Sequence, residues 1–247
     1  MICEDFTMLG TTVPEPTKSD SRIFVCSAGI SQELGLIRIY PLARKNIPNR
    51  WNTYRVPLER NPKDSRPESW KVQGDRSEGA HERINDSFQQ VGKLKPTERA
   101  TLLSKYVVSS IKEANERKLS LAILQPEFGK IDFEHNPDSP ESPQLALFPH
   151  GKPTLGAKRF PYIPRLNFTD DGGRHHLMIR EWGCFEWMRK YPDRYTELPN
   201  CLHLNEDSSL LIGNLNQHRN AWLIISVLNG IRDSAPMLFD YRPKIPA

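Results

Sequence analysis

The chain alternates between short apolar runs and stretches of turn-forming or charged residues, and this pattern predicts many short strands. Arg22-Ile23-Phe24-Val25-Cys26-Ser27-Ala28-Gly29 is rich in β-formers and stopped by glycine, so it reads as a strand buried on both faces. Gly35-Leu36-Ile37-Arg38-Ile39-Tyr40-Pro41 follows after a short connection and completes a hairpin that Pro41 ends. A third strand is expected over Trp51–Leu58, and Arg60–Trp70 is turn formers and charges, hence a loop. Residues 78–91 suit a modest helix. Leu102, Leu103, Tyr106, Val107, Ile111 and Ala114 recur at helical spacing after Pro96, which predicts a stronger one. Leu119–Leu124 reads as a strand stopped before Pro126. Further on, Phe160–Phe168 and His175–Trp182 are expected strands about the turn Asp170-Asp171-Gly172-Gly173. A short helix over Cys184–Lys190 and the apolar runs Ser209–Gly213 and Ala221–Leu228 complete the pattern.

Two stretches lack such runs. Residues 1–20 mix Thr, Pro, Glu, Lys and Ser and read as a flexible N-terminus. Asn136–Pro153 is rich in Pro, Asp, Ser and Glu and reads as a linker. The expected fold class is therefore α+β: two small β-barrel-like modules joined by a helical segment and a Pro-rich linker. The module boundaries fall at 21–135 and 159–247, with the linker over 136–158. A single continuous α+β domain fits the same pattern.

Composition narrows the classes. The 247 residues include 21 prolines, carry a formal net charge of +4 and are 37% hydrophobic. These values suit ordered domains with stiff connections, and a mild basic balance permits phosphate contact without demanding it. No run approaches the ~18 apolar residues that span a bilayer. Met1-Ile2-Cys3-Glu4-Asp5-Phe6 places acid where a signal peptide has base, so a cytoplasmic location and no membrane contact are expected. Cys3, Cys26, Cys184 and Cys201 are too widely spaced for a metal or redox pair.

The first module holds the densest candidate chemistry. Arg38, Arg44, Arg50, Arg55 and Arg66, with Lys45, Arg60 and Lys63, stand among Trp51, Tyr54 and Trp70. Cations hold phosphates and exposed aromatic faces stack unpaired bases, so Arg38, Arg44, Arg50, Trp51, Tyr54, Arg55 and Arg66 form the expected nucleic-acid surface. The competing reading is that the rings are core and the arginines are paired with Glu59, Asp64 and Glu68.

Gln144-Leu145-Ala146-Leu147-Phe148 lies in the linker, where large apolar residues have little local purpose. Gln144, Leu145, Leu147 and Phe148 resemble the Q-L-x-L-F peptide with which bacterial DNA-processing proteins hold the sliding clamp. That resemblance implies a clamp partner.

The strings Cys26-Ser27-Ala28-Gly29-Ile30 and Gly35-Leu36-Ile37-Arg38-Ile39-Tyr40-Pro41, with the late Leu211-Ile212-Gly213 and Trp222-Leu223-Ile224-Ile225, resemble uncharacterised bacterial proteins with two OB-like domains. This resemblance implies OB-like barrels and a nucleic-acid connection in a bacterial defence or mobile-element setting.

Phosphate-loop, dinucleotide, zincin and nucleophile-elbow motifs are missing, and no cofactor, metal site or catalytic residue is expected. His175 and His176 are adjacent, so a strand would point them to opposite faces. The leading function is a nucleic-acid-associated adaptor or binding protein. One alternative is a metal-dependent nuclease or nucleotide-modifying enzyme using Asp64, Glu68, Glu127 and Lys130. Another is a protein-only subunit of a larger assembly.

Overall fold

The computed structural model describes residues 1–16, 22–74, 80–136, 139 and 160–229. The chain is mostly β, with few helices. Its first half is built from β1 (Ile2–Thr11), β2 (Glu15–Pro16), β3 (Ile23–Ser31), β4 (Gly35–Ala43), β5 (Asn52–Arg60), β6 (Ser69–Val72) and β7 (Gln89–Lys93). The order β1-β3-β4-β6-β5 closes on itself because β5 also pairs with β1, giving a closed five-strand barrel. β4 and β6 are parallel, whereas β1 meets both of its neighbours antiparallel. Phe6, Met8, Val25, Ile37, Ile39, Val56, Leu58 and Val72 fill the interior. β7 extends the wall beside β5.

The first strand corrects an expectation. Residues 1–20 read as a flexible end, yet β1 is the strand that closes the barrel. Its inward residues Cys3, Phe6 and Met8 are buried. The acids that disguised it serve the fold. Glu4 pairs with Arg55 at 3.0 Å, and Asp5 accepts from the Ser31 hydroxyl at 2.6 Å and the Gln32 amide at 2.7 Å.

The helical segment is also shorter than its spacing suggests. Where a helix is expected over 78–91, the described residues 80–91 hold a 3-10 turn (His81–Ser87) before β7. The next pattern divides into α1 (Pro96–Ser104) and α2 (Ile111–Glu116), separated by β8 (Val107–Val108). The β-branched pair joins β9 (Leu121–Leu124), and the Ser110 hydroxyl caps α2 by accepting from the Glu113 amide at 3.1 Å.

The second half adds β10 (Glu127–His135), β11 (Tyr162–Asp170), β12 (Gly173–Met178), α3 (Trp182–Lys190), a 3-10 segment (Pro192–Glu197), α4 (Leu198–Leu202), β13 (Ser208–Asn214) and β14 (Trp222–Asn229). β10 pairs with β11 from Glu127–Thr169 to His135–Tyr162. The segment predicted as a linker between modules, 136–158, therefore connects the two strands of one hairpin inside this half. Two sheets, β10-β11-β12 and β14-β13-β9-β8, meet through a parallel bridge from Ile179 to Ile224.

The halves are packed against each other. Leu9, Ala28, Ile30 and Trp51 of the first share an apolar cluster with Leu103, Leu121, Ile123, Leu211, Ile225 and Leu228. Gly10 of β1 lies so close to Ser226 of β14 that a Cβ has no room there. No helix among the described residues is long and apolar enough to cross a membrane.

Removing an inward ring from the disguised first strand tests its place. Phe6→Ala should cost about 3–5 kcal/mol in equilibrium denaturation, whereas a loosely tethered end would lose almost nothing.

Candidate nucleic-acid interface

The predicted arginines divide by where their charge goes. Arg38 projects outward from β4 but is only 3% exposed, because the second half covers it. Its Nη2 donates to the Ser120 carbonyl at 3.0 Å, and burial pulls its pKa down. Glu68 reaches the same point and accepts from the Ser120 amide at 3.1 Å and hydroxyl at 2.7 Å. Arg50 donates to the Glu181 carboxylate, the Ser226 hydroxyl and the Val227 carbonyl. Glu181 also accepts from the Val227 amide at 2.8 Å. Arg66 forks onto Asp64 and donates to the Asn214 carbonyl. All three cations thus cross between the halves, and none is turned to solvent.

The aromatic part of the expected surface is likewise internal. Trp51, Tyr54 and Trp70 are 8%, 5% and 6% exposed. Arg99 of α1 stands over the Trp51 ring at 4.6 Å, and the Tyr54 hydroxyl accepts from the Asn49 amide at 2.7 Å. These rings offer no free face for a base. Arg44 and Arg55 are exposed, Arg55 beside Glu4. Gln144, Leu145, Leu147 and Phe148 lie outside the described residues.

The outward face of β3 and β4 explains this arrangement. Here that face presents Ala28, Ile30 and Leu36 to the apolar cluster shared with the second half. The outward face of these two strands is thus covered by the second half of the chain.

A different cationic surface forms where loops of both halves meet. Loop 61–68, between β5 and β6, touches loop 215–221, between β13 and β14. Asn216 donates to the Lys63 carbonyl at 3.4 Å, and Arg219 to the Ser65 hydroxyl at 3.1 Å. The end of α2 joins them, since Asn214 donates to the Leu119 carbonyl at 3.1 Å. Lys63, Lys118 and His218 are exposed, and Arg219 is half-buried. Asp64, the acid nearest in the loop, is engaged by Arg66 and by the Ser69 hydroxyl at 2.8 Å. Burial pushes the Asp64 carboxyl up, but the Arg66 and Ser69 hydrogen bonds outweigh it and hold it below the usual carboxylate range. Glu68 is held on Ser120, which leaves Glu116 of α2 as the exposed acid nearby.

Lys118 carries a further mark. It adopts a left-handed backbone with φ +55° just past α2. Glycine fills such a position with least strain. A lysine there keeps a cation at the junction at some cost to stability. Sequence reasoning missed Lys118, His218 and Arg219 because only folding brings them beside Lys63.

Other candidates stay apart. His175 lies 2.9 Å from Asp170 and His176 3.5 Å from Asp132, on opposite faces of β12 as expected. Glu127 and Lys130 are exposed on β10. Among the described residues, no group of three or more His, Cys, Asp or Glu side chains is placed to hold a metal ion.

Two outcomes follow from this geometry. Lys118→Gly should raise stability by roughly 0.5–1 kcal/mol in thermal or denaturant unfolding. Asp64→Asn should destabilise most at neutral pH. The folded-state pKa of Asp64 is depressed, so its contribution is complete above the unfolded value and fades as pH falls through the folded one. The gap between wild type and variant should therefore close below about pH 4 in a pH series of unfolding curves.

A domain of unknown function, DUF8758, matches residues 4–104, which hold the barrel, β7 and α1. A comparison with curated protein sequences found no match. Among solved structures, a murine DNA binding protein bound with double-stranded DNA is 8% identical, with 93% of this chain and 98% of that one covered at a TM-score of 0.34. The tetrameric p202 HIN2 is 7% identical, with 91% and 88% covered at 0.31. Likeness at these scores carries no argument about fold or function.

Proposed function

We propose that the chain is a nucleic-acid-associated binding protein that holds a phosphate backbone where its two halves meet. The observation that carries this reading is that the segments bearing Lys63, Lys118 and Arg219 are tied together by hydrogen bonds, while Asp64 and Glu68 are engaged by Arg66 and Ser120. Phosphate contacts need cations held in place by a scaffold, and the hydrogen bonds among these loops supply that order. Arg44 and Arg55 are exposed on the first half, Arg55 in a pair with Glu4.

The second half supports the reading through its strand order. With β9 and β10 taken as one bent strand, its neighbours run β10-β11-β12-β14-β13-β9. That is the order of the first barrel, with the parallel contact reduced to one bridge. We read it as a second, looser OB-like unit. Gln144, Leu145, Leu147 and Phe148 fall in sequence between β10 and β11, outside the described residues, and their likeness to the Q-L-x-L-F peptide is the ground for a sliding-clamp partner.

The nuclease reading has less support. Asp64 and Glu68 are committed to Arg66 and Ser120, and neither is free to assist Glu127 or Lys130.

Gel shifts across a salt series test the proposal. Each neutralised phosphate on duplex DNA contributes a slope of about −0.9 to log K against log salt, so three contacts predict about −2.7. A Lys63→Glu, Lys118→Glu, Arg219→Glu variant should lose at least about tenfold in affinity. A flat salt series, or an unchanged variant, contradicts the proposal, and capture of proteins without nucleic acid favours the protein-only subunit. Separately, a peptide of residues 140–152 should bind a bacterial sliding clamp saturably and lose binding with Phe148→Ala. No binding sets the clamp partner aside.

A further inference from the structure

Leu215 is 43% exposed. One exposed leucine is ordinary in itself; its setting is not. Among the large apolar residues exposed in the described chain, Met1, Ile2, Tyr40 and Val91 lie on the first half, while Leu215 stands at the cationic loop end. It follows Asn214 directly, whose carbonyl accepts from Arg66 and whose amide side chain holds the Leu119 carbonyl. It precedes Asn216, which reaches the Lys63 carbonyl.

The loop that presents Leu215 is closed on itself. The Leu215 amide donates to the Ala221 carbonyl at 3.2 Å, the His218 amide to the Leu215 carbonyl at 3.3 Å, and the Ala221 amide to the His218 carbonyl at 2.9 Å. An aliphatic side chain is thus held at a fixed place, partly in water, on the loop that bears Arg219 and touches the loop of Lys63, one residue past Asn214, which holds the carbonyl next to Lys118. Proteins that bend duplexes combine these two elements. Cations fix the backbone on either side, and an apolar wedge enters between base steps from the minor groove.

Resting on the phosphate-binding reading above, we propose that Leu215 is an apolar wedge that enters a base step of a bound duplex and kinks it. Stacking by aromatic rings is not needed for this, which agrees with the burial of Trp51, Tyr54 and Trp70. The ligand class is duplex nucleic acid able to widen its minor groove, so flexible pyrimidine–purine steps should be favoured over stiff A-tracts.

A duplex of about 30 base pairs with a fluorescent donor and acceptor at its ends reads the bend on the full chain. Wild type should shorten the end-to-end distance in keeping with a kink of about 20–90°. Leu215→Ala should still bind within about threefold of wild type, as a surface substitution does, but with the bend lost. Lys63→Glu with Arg219→Glu should lose binding itself. Wild-type binding without a bend, or an undiminished bend in Leu215→Ala, overturns the wedge and leaves the phosphate site standing. No duplex binding by wild type overturns both.

Discussion

The rest of the structure depends on charge carried into the interface between its halves. Arg38, Arg50 and Arg66 leave the first barrel and end on Ser120, Glu181 with Ser226, and Asn214 in the second half. Removing charged groups from water costs several kcal/mol per ion, and good geometry has to offset it. Each arginine accordingly meets a carboxylate, a carbonyl or both. Breaking one partner of such a pair costs about 3–5 kcal/mol, because the other charge is left stranded. The apolar cluster around Leu9, Ile30, Leu121 and Ile225 supplies attraction, but apolar contact alone tolerates sliding. The arginines require one alignment.

That alignment decides what remains for function. It covers the outward face of β3 and β4. It also draws loop 61–68 against loop 215–221, so cations distant in the chain converge at the open end of the seam. The same contacts that remove Arg38, Arg50 and Arg66 from solvent position Lys63, Lys118 and Arg219 within it. On the proposed reading, recognition there is by charge held on backbone-anchored loops, since Trp51, Tyr54 and Trp70 are buried.

Much of the fold was legible. β3, β4, β13 and β14 announce themselves as β-rich apolar runs between turn formers, and α3 by its short amphipathic pattern. β1 was hidden because Glu4 and Asp5 break its apolar alternation while serving Arg55, Ser31 and Gln32. α1 and α2 merged into one helix on paper because Val107 and Val108 fit helical spacing as well as they fit a strand beside β9. The candidate site was harder to read. A sequence does not distinguish an arginine bound for a partner elsewhere in the chain from one bound for a phosphate when that partner lies 82 to 177 residues away. The self-paired turn at Asp64–Ser69 was legible, since its partners are local. The positive φ of Lys118 had no signature in the sequence at all.

The central claim is that this seam makes the two halves one cooperative unit. Native-state hydrogen exchange tests it most directly by comparing amides of β4 in the first barrel with amides of β9 and β13 in the second half. The slowest amides of all three strands should open with the same free energy, equal to that of global unfolding. If β9 and β13 exchange through a lower-energy opening that leaves β4 protected, the halves are separable and the seam does not hold them together.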